Sequence, residues 1–441
     1  MRRIIFIWAF LPLLAFAQTP ETALKSYMEN GDKTFAWNIK DTFTENGVTR
    51  YNVLLTSQKW RAYTWKHQLT VFVPEKLEYD GALLFITGGS VKNGEPNWSD
   101  KDDRYWPVLA GMAKQNRAVT AIIKQVPNQP IIGSMTEDEM ISHTLHQFKK
   151  DKDYSWPLLF PMVKSAVRGM DAVQALVKEK AKKEVNRFVF SGASKRGWTT
   201  WLASAVEDPR LVAIGPMVID MLNMPETLNY QYKTYGEYSI QIEDYTKLGI
   251  AQDISSADGK ALQAMIDPYA YRSKLTLPKM IFIGTNDEYW TLDAIKFSWK
   301  DIPGQNMIHM VPNAGHDLAG GAQAFEALNG FFATTLQKKP YPVVNWQLEK
   351  VKGGTEFKVI APKEGLKEAS LWYTSSSDKD FRNNYWQKTR VRITDEIKIT
   401  VPNPQKGYHG FYIDLRYENP SGGSYLVSTR AFISDNTGLQ P

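Results

Sequence analysis

The amino-acid sequence predicts an α/β fold, a mostly parallel sheet covered by helices, followed by a small β-sandwich-like unit. Three observations lead there. From about residue 80 to 337, short apolar runs alternate with helical patterns. The runs at 82–87, 118–124, 187–190, 212–218, 280–284 and 307–311 are apolar almost without interruption, as in strands buried on both faces of a parallel sheet. After about residue 342 only strand-like runs remain, divided by Gly, Pro, Asn and Asp clusters.

Taken in order, the chain opens on an apparatus for export. Arg2 and Arg3 precede an apolar run from Ile4 to Leu14, and Ala15-Phe16-Ala17 offers small residues before Gln18. Residues 1–17 are therefore expected to be a signal peptide, too short an apolar stretch to span a bilayer. The product is expected in the periplasm or outside the cell, with no stable membrane anchor. Residues 18–338 are assigned to the α/β unit, including an N-terminal extension. In 165–177, Ala166, Val167, Met170, Val173, Leu176 and Val177 share one face, the stripe of a helix packed on a sheet. Residues 221–275 lack strand signals between two sheet strands and read as a lid. Its Tyr230, Tyr232, Tyr235 and Tyr238, with Glu226, Glu237, Glu243 and Asp244, suit either a cationic or amino-terminal group or an ordinary solvated surface. The segment Lys339-Pro340-Tyr341-Pro342 marks a boundary. The unit 339–441 beyond it carries strand-like runs at 343–348, 356–360, 369–373, 391–401, 408–417 and 425–432.

Composition excludes several chemistries. With no cysteine there is no thiol nucleophile, disulfide framework, thiolate metal centre or lipidated N-terminal cysteine. The formal charge of +6 arises from 53 Lys+Arg against 47 Asp+Glu, and the expected leader carries two of those arginines and no acid. The remaining basic residues are dispersed, and the run around Lys178 to Lys183 suits a solvated helix face, so no nucleic-acid partner is expected. No phosphate loop, dinucleotide fingerprint or zinc-protease signature occurs, and no cofactor is expected. His143 and His146, after Glu137, Asp138 and Glu139, are better explained as a polar helix face than as metal ligands.

The chemistry converges on residues 187–206. An apolar strand leads into Ser191-Gly192-Ala193-Ser194-Lys195-Arg196-Gly197, and a helical stretch from Trp198 follows. Strand, tight turn and helix form the setting of a nucleophile elbow, where a serine hydroxyl stands exposed and small neighbours spare a strained backbone. Gly192 has the required spacing; Arg196 occupies the position usually held by glycine, with Gly197 one residue later. In an α/β-hydrolase an acid and a histidine follow in that order. Asp287 comes just past the run at 280–284, and His316 on the loop after 307–311. Asp287 equally suits the N-cap of a helix over 289–299, and Glu288 and Asp293 are rival acids. Backbone N–H groups of Lys195 and of the Gly88-Gly89-Ser90 loop, with Gly89 favoured, are expected to form an oxyanion hole.

The stretch from Ser191 to Trp201 resembles the PhoPQ-activated pathogenicity-related protein family. So do Leu55-Thr56-Ser57-Gln58-Lys59-Trp60-Arg61, Leu84-Phe85-Ile86-Thr87-Gly88-Gly89-Ser90 and Asp380-Phe381-Arg382. The resemblance implies an α/β-hydrolase fold, secretion and a serine-centred site at Ser194, Asp287 and His316. Similarity to dipeptidyl-peptidase-like serine hydrolases makes peptides a candidate class beside esters. The expected function is a secreted serine hydrolase of a small peptide or ester substrate working through an acyl-enzyme. A non-catalytic secreted binding or signalling protein on the same fold is the alternative, and a carbohydrate-binding tail is a third reading.

Overall fold

The computed structural model describes residues 18–99, 103–394 and 396–440. The expected signal peptide lies outside the described residues. Helix α1 (Pro20–Met28) is followed by an antiparallel meander of β1 (Ala36–Glu45), β2 (Val48–Trp60) and β3 (Tyr63–Pro74). The centre is built from β4 (Gly81–Ile86), β7 (Val119–Ile123), β8 (Arg187–Ala193), β9 (Leu211–Met217), β10 (Lys279–Gly284) and β11 (Asn306–Val311). A small hairpin, β5 (Val91–Lys92) with β6 (Glu95–Pro96), follows β4. The sheet runs β1-β2-β3-β7-β4-β8-β9-β10-β11, parallel from β7 onward, and β3 joins it antiparallel to β7. This is the α/β-hydrolase arrangement.

The apolar runs are continuous because both sheet faces are covered. Leu84 and Ile86 join a core with α4 (Leu159–Ala181) and α5 (Lys195–Ala205), whereas Leu83 and Phe85 join one with α2 (Trp106–Asn116) and α9 (Ala322–Leu336). The expected stripe of α4 is in place, with Ala166, Met170, Val173, Leu176 and Val177 buried. In α3 (Glu137–Asp151), acids fill the first turn and lysines the last, complementing the helix dipole. Between β9 and β10 lie α6 (Met224–Tyr235), the single turn α7 (Glu243–Thr246) and α8 (Ala257–Ile266), a strand-free segment over the sheet's C-terminal edge.

The C-terminal strands divide between the same sheet and a second one. They are β12 (Asn345–Val351), β13 (Gly354–Ile360), β14 (Leu366–Ser376), β15 (Gln387–Val391), β16 (Ile397–Pro402), β17 (Tyr408–Glu418), β18 (Ser424–Ser428) and β19 (Phe432–Asp435). Ile308 of β11 pairs with Ser428 of β18, and the order continues β18-β17-β14-β15. A second sheet, β12-β13-β16, stacks on it, with the Phe357 ring 5.8 Å from Phe411 and 5.2 Å from Phe432. Two expected runs are divided. The run at 391–401 breaks where β15 and β16 go to different sheets, and that at 425–432 breaks between β18 and β19, which pair with different stretches of β17. No helix spans 289–299: burial of Trp290, Leu292, Ala294 and Ile295 leaves only a short 3₁₀ turn, Ala294–Phe297. Among the described residues no helix is long and apolar enough to cross a membrane.

Candidate active site

Ser194 stands between β8 and α5 at φ 60°, ψ −124°, a conformation that costs of order 1–3 kcal/mol for a side-chain-bearing residue. Surrounding contacts hold it there. Its N–H donates to Met217 O at 2.9 Å, and its carbonyl accepts from Trp198 N at 2.9 Å. The flanking glycines are steric necessities. A Cβ on Gly192 would meet Ile86 O at 2.8 Å, and one on Gly197 would meet Met217 O at 2.6 Å. Arg196 is tolerated at the usual glycine position because its side chain turns inward. Its guanidinium pairs with Glu137 through contacts of 2.6 and 2.7 Å, bonds Val126 O and lies beneath Gly88. Burial pushes the Glu137 carboxyl up, but the charges and hydrogen bonds of Arg196, helped by Gln129 and Lys195, hold it below its ordinary range.

Sheet topology brings the acid and the imidazole to this turn. His316 Nε2 lies 2.8 Å from Ser194 Oγ, and its Nδ1 lies 3.0 Å from each Asp287 carboxylate oxygen. An ionised carboxylate only accepts, so Nδ1 carries the proton and Nε2 accepts from the serine hydroxyl. Asp287 is 4% exposed and also accepts from Tyr289 N at 2.8 Å. The Tyr289 ring stacks on His316 at 4.0 Å. The rival acids are engaged elsewhere: Glu288 accepts from the backbone N–H of His316 at 2.9 Å, and Asp293 pairs with Lys296 at 2.9 Å. Asp220 is pushed up to about 8, chiefly by burial and further by Asp287 and Asp293, against a hydrogen bond from Ile295.

Two loop asparagines escape detection from the sequence, since a polar loop amide has no distinctive spacing. Asn286 Nδ2 donates to Arg382 O at 3.1 Å and to Asn384 O at 2.7 Å. Asn313 exchanges two hydrogen bonds with the Trp386 backbone, at 3.1 and 2.7 Å. The loop around Phe381–Trp386 thus grips the segments bearing Asp287 and His316. The lid fastens the acid loop from the other side: Ser239 Oγ donates to Glu288 O at 2.7 Å and Gln231 Nε2 to Tyr289 O at 2.6 Å.

Ser194 opens onto two cavities. A narrow one of about 50 Å³ lies under the lid, lined by Trp198, Ile219, Met224, Leu228 and Trp290 together with Lys195 and Asp138. A broad cleft of about 840 Å³ is lined by His316, Thr87, Gly88, Arg104, Glu326 and Asn329 among others. Gly88 lines this cleft with Ser194, and a Cβ on Gly89, at φ 142°, would meet Gln125 at 3.0 Å. Lys195, the first residue of α5, places its backbone N–H at the helix N-terminus, where a developing negative charge is favoured. Its ammonium is 2.6 Å from Asp138, which also accepts from Tyr245 OH at 2.8 Å. Of the lid acids considered for an amine, Glu226, Glu237 and Glu243 are exposed. His143 lies 3.2 Å from Gln147 and groups with no metal-binding cluster among the described residues.

The sequence matches the model of the PhoPQ-activated pathogenicity-related protein family over residues 24–382. It is 30% identical to Autocrine proliferation repressor protein A of Dictyostelium discoideum, over 90% of this chain and 86% of that protein. Among solved structures, acetyl xylan esterase 1 of Thermoanaerobacterium sp. is similar with a TM-score of 0.49 and 15% identity, covering 72% of this chain and 93% of the esterase. The S-formylglutathione hydrolase of Agrobacterium tumefaciens is similar with a TM-score of 0.43 and 13% identity, over 68% and 99% of the two chains.

Proposed function

Since the chain belongs to the PhoPQ-activated pathogenicity-related protein family and carries Ser194, His316 and Asp287 in hydrogen-bonded sequence, we propose that it is an exported serine hydrolase acting through an acyl-enzyme. The single observation that carries this reading is the relay from Ser194 Oγ through His316 to the buried Asp287, mounted on a strained turn at the start of α5.

The roles follow from the geometry. His316 Nε2 takes the hydroxyl proton as Ser194 Oγ attacks the carbonyl carbon of an ester or peptide bond, and Asp287 stabilises the imidazolium. The backbone N–H groups of Lys195 and of the Gly88-Gly89-Ser90 loop, Gly89 favoured, receive the oxyanion, a pair worth about 3–4 kcal/mol per donor in the transition state. As the tetrahedral intermediate collapses, the imidazolium returns its proton to the departing alcohol or amine. Water, deprotonated by His316, then attacks the acyl-enzyme and regenerates Ser194.

Fluorophosphonate labelling tests this reading. The wild-type protein should gain one label, mapped to Ser194 and absent in Ser194→Ala; a wild type that stays unlabelled sinks it. A second reading, a non-catalytic signalling protein, draws on the name of the Dictyostelium relative. It requires that Ser194→Ala preserve every biological effect of the chain.

A further inference from the structure

The two cavities meet at Ser194, but His316 lines only the broad one. In acyl transfer the leaving-group oxygen must come within hydrogen-bond reach of the imidazolium that protonates it. That places the leaving group in the cleft beside His316 and directs the acyl group toward the lid. The linings differ accordingly. The cleft mixes Arg104, Gln115, Asp317, Glu326 and Asn329 with an apolar wall that includes Phe85, Val108, Met112, Leu318 and Phe325. The lid-side cavity is walled mainly by apolar side chains, and its polar members are satisfied: Asp138 is paired with Lys195 and bonded by Tyr245. An acyl group bearing an ammonium would have to displace Lys195 to reach that carboxylate.

The size is also restrictive. The lid-side cavity is narrow, about 50 Å³ against about 840 Å³ for the cleft. We propose that the substrate is an ester whose acid is uncharged, apolar and short enough for the lid-side cavity, with the bulkier alcohol lying in the cleft. The inference rests on the serine-hydrolase reading and deepens it by assigning the acyl and alcohol subsites.

The test uses the full chain and 4-nitrophenyl acetate, butyrate, hexanoate and octanoate. From acetate to butyrate kcat/KM should rise, by roughly threefold to fourfold per methylene buried, then fall at least tenfold by octanoate. Leu228→Ala, which widens the lid-side wall, should shift the optimum to hexanoate or beyond, and Ile219→Trp should shift it to acetate. The isovaleryl and valyl esters of one alcohol differ chiefly by the ammonium group, and the isovaleryl ester should be favoured more than tenfold. If Ser194 takes the fluorophosphonate label but the chain-length profile is flat, peaks at octanoate or shows no turnover, the subsite assignment is overturned. Preference for the valyl ester overturns it equally. Absence of the label overturns the serine-hydrolase reading and the inference with it.

Discussion

Asn313→Gly tests whether the C-terminal loop holds the imidazole in place. Asn313 adopts φ 54°, a conformation glycine accepts without strain, so the substitution removes the side-chain amide and little else. Two hydrogen bonds to the Trp386 backbone are lost, each worth about 1 kcal/mol, and the Trp386 N–H is left without its partner, at a further cost of about 1–3 kcal/mol. The expected total is about 3–5 kcal/mol, concentrated on the loop three residues before His316. Because small displacements of a catalytic group can cost about a hundredfold in rate, kcat should fall by one to two orders of magnitude while KM changes little. The assay pairs steady-state hydrolysis with thermal melting. A variant that melts lower yet keeps wild-type kcat would refute the positioning argument and reduce the clamp to a stability element.

Asp287→Asn should lower kcat/KM by about four orders of magnitude through loss of the correct tautomer, whereas Glu288→Gln should stay within about a hundredfold, having lost only a charge-assisted backbone contact; equal effects would mean the acid has been misassigned. His67 is buried, its Nδ1–H donating to Lys124 O and its Nε2 accepting from Ser57 Oγ, each at 2.9 Å, and burial pushes the imidazole down to about 4. With the folded pKa below the unfolded one, this contribution is complete above about pH 6.5 and is lost as pH falls toward 4, by up to about 3 kcal/mol. His67→Gln should therefore flatten the melting-temperature profile between pH 6.5 and 4, and an unchanged slope would count against it. The Glu137 carboxyl is held low in the folded state, so its pairing with Arg196 should persist above the ordinary carboxylate range and be lost on acidification below it. Glu137→Gln should accordingly cost about 2 kcal/mol at neutral pH and converge on wild type at low pH, as read from melting curves.

The central strands were legible because each is buried on both faces and therefore writes a continuous apolar run, as in Leu83-Leu84-Phe85-Ile86. The site was legible because its residues follow strand ends: Ser194 after β8, Asp287 after β10 and His316 after β11. Pairing partners were not. Nothing local to Ser428 indicates that it joins Ile308, so continuity of the tail with the main sheet is invisible until the chain is folded. Strand β1 stayed hidden within the N-terminal extension because it is largely exposed and mixes polar with apolar residues. The clamp by Asn286 and Asn313 likewise depends on backbone carbonyls and an N–H of a loop about 70 to 100 residues away, at Phe381 to Trp386.

The most direct measurement traps the covalent intermediate. A butyrate ester is mixed with the enzyme, acid-quenched before deacylation and digested for mass spectrometry. The account requires one butyryl group on the peptide containing Ser194, formed in a burst and absent from Ser194→Ala. A butyryl group on another residue, or equal turnover by Ser194→Ala, would contradict it.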